Sequence, residues 1–147
     1  VAERDVESRR ISILRDRLQQ KLVEIDGAFV NGNSVHRLSG NLNIGFEGVS
    51  ALSLLVEIKN DIAISTGSAC SSADAAAGLA SHVLRAVGLS KQAALSCVRV
   101  SIGRYTTEDD IQTAVHCLRS AVETLRQQSS QGISFFPPST TKESQPA

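Results

Sequence analysis

This chain is short of several things that would announce a function. It has 147 residues and no methionine, and it begins at Val1, so an upstream segment of the natural protein is expected to be missing. Fifteen basic residues balance fifteen acidic ones. No global field therefore favours nucleic acid or an anionic membrane as the main partner. Apolar runs stay well below the length of a membrane span. The three cysteines, Cys70, Cys97 and Cys117, are odd in number and follow no secretory signal, which argues against a disulfide framework and for a reducing compartment. Their spacing matches no zinc pattern, and His36, His82 and His116 form no paired ligand motif. No metal site is expected, and no glycine-rich phosphate loop is present.

At 41% hydrophobic and 20% charged, the chain can build one globular domain with a real core. From Arg4 to Ile25, Val6, Ile11, Leu14, Leu18, Leu22 and Ile25 recur at helical spacing, predicting an amphipathic helix that Gly27 ends. Ala28 to Val30 reads as a short strand stopped by Asn31-Gly-Asn33. Asn41 to Phe46 alternates as a half-buried strand does, and Ser50 is placed to cap a helix over Ala51 to Lys59 with Leu52, Leu55 and Val56 on its inner face. Ile62 to Ile64 reads as another strand. A helix follows from His82 to Val87, ended by Gly88, and Ser90 caps a further one to Leu95.

Cys97 to Ile102 alternates with Val98, Val100 and Ile102 on one face, which sends Arg99 to the other. Thr107 with Asp110 forms a capping-box-like start to a helix through about Gln127. Residues 128–147 hold all three prolines among many Ser, Thr and Gln, and are expected to be a disordered tail after a domain of residues 1–127. The fold class is α/β, more specifically an α+β small domain: a small, mostly antiparallel sheet with helices packed on one face. Strand order does not follow from the pattern.

Two residues carry chemistry. Cys70 lies in Ser65-Thr-Gly-Ser-Ala-Cys-Ser-Ser-Ala73, a run of small residues that crowds little around a thiolate and suits a mobile nucleophile. Arg99 offers a planar, always-charged fork, the natural clamp for a carboxylate. Cys97 and Cys117 read instead as core or near-core residues.

Four segments taken together resemble a family. Asn41-Leu-Asn-Ile-Gly-Phe46, the Cys70 run, His82-Val-Leu-Arg-Ala-Val-Gly-Leu89 and Val98-Arg-Val-Ser-Ile-Gly-Arg-Tyr-Thr-Thr-Glu108 are similar, in order and spacing, to the C-terminal small domain of group I cysteine desulfurases, the long-loop group that serves iron–sulfur cluster assembly. The resemblance covers roughly residues 3 to 126. It implies the C-terminal domain of a fold-type I pyridoxal 5'-phosphate enzyme of the class-V aminotransferase family. Such an enzyme takes the sulfur of L-cysteine as a persulfide, releases L-alanine and passes the sulfur to an iron–sulfur scaffold or another acceptor protein. By position, Cys70 is the implied persulfide-forming nucleophile and Arg99 the implied binder of the substrate carboxylate, with Arg104 structural. The implied whole enzyme is a cytoplasmic or organelle-matrix homodimer.

The sequence departs from that pattern in three ways. Asp74 to Ala80 is longer than the family's usual connection, and the family's scaffold-binding extension has no counterpart in residues 129–147. None of Lys21, Lys59, Lys91 or Lys142 sits in the histidine-lysine context of the Schiff-base lysine. The cofactor is therefore expected to be held by a missing large domain, and this chain alone is expected to be inactive. The alternative is a truncated, non-catalytic module that binds a desulfurase or a sulfur-acceptor protein. A stand-alone thiol carrier would explain Cys70 but not Arg99.

Overall fold

The computed structural model describes residues 2–33, 35–66 and 81–132. Eight elements occur in these stretches: α1 (Ala2–Leu22), β1 (Ala28–Asn31), β2 (Asn41–Phe46), α2 (Ala51–Ile58), α3 (His82–Ala86), α4 (Lys91–Leu95), β3 (Cys97–Ser101) and α5 (Glu108–Ser130). Cys70, the rest of the small-residue run from position 67, and residues 133–147 of the expected tail lie outside the described residues.

The strands form one antiparallel sheet in the order β1-β2-β3. Alternation divides its residues cleanly. Leu42, Ile44 and Phe46 of β2 and Val98 and Val100 of β3 are buried on one face, joined at its edge by Ala28 and Val30 of β1. Helices α1, α2 and α5 cover that face through Leu14, Leu18 and Leu22, through Ala51, Leu54 and Ile58, and through a stripe from Ile111 to Leu125. This is the expected class of sheet with helices on one side. A smaller cluster forms on the opposite face, where Phe29 and Cys97 meet Leu84 of α3 and Ala94 of α4.

Gly45 makes that second cluster possible. It is the register partner of both Phe29 and Cys97, and the Phe29 ring occupies the space that any Cβ at position 45 would take.

Local chemistry starts and stops several elements as the sequence predicts. Thr107 and Asp110 form a reciprocal capping box: Asp110 N donates to Thr107 Oγ1 at 3.2 Å, and Thr107 N donates to Asp110 Oδ2 at 2.8 Å. The bonds that Thr107 N and Thr107 Oγ1 donate to its ionised form hold the Asp110 carboxyl below its usual range. Ser81 and Ser90 cap α3 and α4 through their hydroxyls, and Gly88, at φ 98°, ends the turn after α3.

Other expectations need correction. Helix α1 stops at Leu22; Ile25 is buried from within the following turn, and Val6 is 70% exposed. In α2 the core takes Ala51, Leu54 and Ile58, while Val56 is exposed. That helix is apolar almost all round, so its composition offers two stripes and packing against α5 selects one. Ser50 sits at the N-cap position but its side chain makes no capping bond. Ile62 to Ile64 forms no strand: its isoleucines pack against the core, and the segment pairs with the sheet at Ser65, which exchanges two backbone bonds with Arg99, of 2.6 and 3.1 Å. β1 includes Asn31 rather than ending before it, and α5 runs to Ser130, three residues past the expected boundary.

Arginines tie the helices to the loops around the sheet. Arg15, buried on α1, reaches the Leu38 carbonyl at 3.0 Å, and Arg10 donates to the carbonyls of Thr106 (2.9 Å) and Arg104. Arg104 thus takes part through its backbone, with an exposed side chain. Arg126 likewise donates to the carbonyls of Asp26 and Glu47. No helix among the described residues is long and apolar enough to cross a membrane.

Candidate active-site cleft

Where β1, β2 and β3 turn their uncovered face outward, register sets polar residues in rows. Asn31 of β1 pairs with Asn43 of β2, and Asn43 pairs with Arg99 of β3; Ser65 continues the row through its bridge to Arg99. Asn41 and Ser101 form the next row. A cleft of about 390 Å³ opens over this floor, a volume within the range of small-molecule sites. One wall comes from the loop after β1, with His36 and Arg37, and the other from α3, with His82, Val83 and Val87.

The cleft is built to attract an anion. Among the described residues lining it none is acidic, while Arg37 and Arg99 bring two fixed positive charges. Those arginines differ in commitment. Arg37 spends its guanidinium on the carbonyls of Asn33 and Gly32 and on Gln19 Oε1. Among the described residues, Arg99 Nε is buried with no hydrogen-bond partner, and Asn41 Oδ1 is in the same condition. A buried donor left without a partner carries a desolvation cost of about 1–3 kcal/mol, more for a charged group, unless a ligand satisfies it. Of the two arginines, only Arg99 keeps a donor without a described partner.

The chain leaves the described residues just after Thr66 and returns at Ser81, and both of these residues line the cleft. The segment that carries Cys70 is thus anchored at both ends beside Arg99. The other cysteines are placed differently. Cys97 is 1% exposed; its thiol donates to the Ala93 carbonyl at 3.0 Å and accepts from Asn31 Nδ2 at 3.1 Å. Burial pushes that thiol up to about 11, which keeps it protonated and unreactive at neutral pH. Cys117 lies half-buried on α5.

Comparison with known proteins gives this geometry a context. Residues 3–114 match the family described as Aminotransferase class-V. The chain belongs to that family. It is 46% identical over 125 residues to "Cysteine desulfurase IscS" of Tolumonas auensis, covering 85% of this chain and 30% of the relative. The same identity holds over 117 residues of "Cysteine desulfurase IscS" from Haemophilus influenzae, with 80% and 28% covered. The chain therefore spans under a third of the length of these curated relatives. Its fold resembles the X-ray structure of a NifS-like protein from Rickettsia africae, with a TM-score of 0.67 at 23% identity over 79% of this chain and 29% of the other. A second structure titled as a NifS-like protein gives a TM-score of 0.66 at 22% identity, covering 86% and 30%. Similarity to class-V aminotransferases named as cysteine desulfurases agrees with the family that the four sequence segments resemble.

Sequence reasoning singled out Arg99 but passed over the asparagines around it. Asn31 read as a turn residue, and Asn41 and Asn43 as the polar half of an alternating strand. His82 read as an ordinary helical residue, and it lines the cleft wall. The signal was present in part: alternation puts Asn41 and Asn43 on the uncovered face. Only strand order brings them beside Arg99.

Proposed function

We propose that this chain is the C-terminal, sulfur-accepting part of a pyridoxal-phosphate-dependent cysteine desulfurase. In this reading the enzyme takes L-cysteine to L-alanine while Cys70 passes from thiol to persulfide, and the persulfide sulfur then goes to an iron–sulfur scaffold or another acceptor. The observation that carries the proposal is the shared position of Arg99 and of both anchors of the Cys70 segment on one cleft free of described acidic residues. Cys70 is four positions on from Thr66, so the covalent chain keeps the thiol's backbone within about 14 Å of the cleft lining.

Each group in this reading has a physical task. Arg99 holds the substrate carboxylate with a charge-assisted bond and fixes which way the amino acid lies. Small residues around Cys70 leave the sulfur accessible first to substrate and then to an acceptor protein.

The described residues do not fit the cofactor. No lysine lines the cleft. Lys21, Lys59 and Lys91 are exposed on or beside α1, α2 and α4, so none offers an amine beside Arg99. Pyridoxal phosphate is therefore assigned to a part of the protein outside this sequence, and this chain alone is proposed to be inactive. A homodimer of the whole enzyme and a cytoplasmic location complete the reading; the odd cysteine count, which argues against a disulfide framework, supports the latter.

The test combines the chain with the cofactor-bearing portion of a cysteine desulfurase, pyridoxal phosphate and L-cysteine, and measures alanine and sulfide. Cys70→Ala is expected to abolish turnover while the cofactor's absorbance persists. Arg99→Ala is expected to raise the KM for cysteine by about tenfold or more, the worth of a hydrogen bond to a charged group, with cofactor affinity unchanged. Turnover that is indifferent to Cys70→Ala sinks the assignment and favours a non-catalytic module.

A further inference from the structure

A directional chain of hydrogen bonds runs across the uncovered face of the sheet toward Arg99. The Cys97 thiol has a single hydrogen and gives it to the Ala93 carbonyl at 3.0 Å. Toward every other neighbour the sulfur can only accept. Asn31 meets that requirement by turning Nδ2 to it at 3.1 Å, and the second hydrogen of the same Nδ2 goes to Asn43 Oδ1 at 2.7 Å.

An amide pair by itself can be turned end for end with no change in bond count. Here the sulfur removes that ambiguity. Reversing Asn31 would set its carbonyl oxygen against a sulfur whose only hydrogen is already committed. Asn43 must therefore spend its oxygen on Asn31, which leaves its Nδ2 without a partner among the described residues. Asn31, Asn43 and Arg99 lie in one row across β1, β2 and β3 and all line the cleft. With its oxygen turned to β1, Asn43 offers its two N–H donors on the side where Arg99 stands. Burial of the thiol keeps this arrangement in its protonated form throughout the neutral range.

We propose that Asn43 is a second donor for the carboxylate of a small α-amino acid, acting beside Arg99, and that Cys97 is a positioning residue that fixes the Asn43 amide through Asn31. The proposal rests on the carboxylate reading of Arg99. Two adjacent donor groups match the two oxygens of a carboxylate and together hold it against rotation. Cys97 thereby gains a task that its burial and lack of reactivity do not otherwise suggest.

The full chain, labelled with ¹⁵N, is titrated with L-alanine and, separately, with L-alaninamide, which lacks the carboxylate. Saturable shifts of the Asn43 Nδ2 and Arg99 Nε resonances with L-alanine alone are expected. Asn43→Ala, which removes the donor without adding charge, is expected to weaken L-alanine about tenfold. Cys97→Ala is expected to weaken it about threefold, and Cys97→Ser to restore it, because a hydroxyl can donate to Ala93 and accept from Asn31 as the thiol does. The backbone amide spectrum reports whether each variant is folded, and where Asn43→Ala is not, the Asn43 resonance of the unsubstituted chain decides.

Shifts at Arg99 with none at Asn43, or unchanged affinity in folded Asn43→Ala, overturn the role of Asn43 and leave that of Arg99 standing. Equal affinities for Cys97→Ala and Cys97→Ser overturn the positioning role. A titration flat at both residues overturns the carboxylate reading of Arg99 and this proposal with it.

Discussion

The two faces of one three-stranded sheet have opposite characters. On the covered face, Leu42, Ile44, Phe46, Val98 and Val100 are sealed by three helices in one apolar cluster. On the other, Asn31, Asn41, Asn43 and Arg99 floor a cleft, and two buried polar atoms go without partners among the described residues. The same strands build both, since successive side chains point to opposite sides. The first face supplies stability. The second gives some of it up, because unsatisfied polar atoms are tolerated where a ligand is to complete them.

Truncation on the covered face should be the most damaging change. Phe46→Ala removes a fully buried ring from the centre of the core. It is expected to cost about 3–5 kcal/mol in a urea titration, since the core loses both the ring's burial and its packing. A loss below about 1 kcal/mol would show that the two faces differ less in packing than their composition implies.

The alkaline limb of stability isolates the small cluster on the uncovered face. Cys97 has its pKa raised from 9.0 to about 11 in the folded chain. Between these values the unfolded chain loses its thiol proton while the folded chain keeps it, so stability falls as pH rises through this window. Cys97→Ser is expected to remove that part of the decline, as measured by melting temperature across the pH range; an unchanged decline would mean that another group causes it.

A smaller effect is expected where α5 is launched over the covered face. Thr107→Ala breaks one half of the capping box and should cost about 1 kcal/mol, seen as a shift of the denaturation midpoint with no change in slope.

Arg99→Leu should have the smallest effect on stability, and of the opposite sign. Removing a buried Nε that has no partner among the described residues is expected to leave stability unchanged or raise it by up to about 1 kcal/mol, even as the proposed carboxylate binding is lost. A large destabilisation would show that Arg99 holds the sheet together and would break the contrast between the faces.

Much of this was legible in the sequence, and the misses share a cause. Alternation in Asn41 to Phe46 and Cys97 to Ser101 assigned side chains to the two faces correctly, although Cys97 is buried on the uncovered one, and the caps at Ser90 and Thr107 fell where the residue types placed them. These features depend on neighbours only a few positions away. The inner face of α2 was misread because Leu52, Leu54, Leu55 and Val56 are all apolar, and the choice between stripes belongs to α5, more than fifty residues later. Ile62 to Ile64 has strand composition but no neighbour to complete a ladder; only Ser65 reaches β3.

By itself, the sequence determined that Arg99 would leave the core side of its strand, that small residues would surround Cys70, and which family the chain resembles. Residue type and period carry that information locally. Tertiary structure decided that β2 lies between β1 and β3, and so that Asn31, Asn43 and Arg99 share a row, with Cys97 bonded to Asn31 across the face. Pairing is set by the burial of the whole covered face against three helices, so the arrangement around Arg99 is fixed from the opposite side of the sheet.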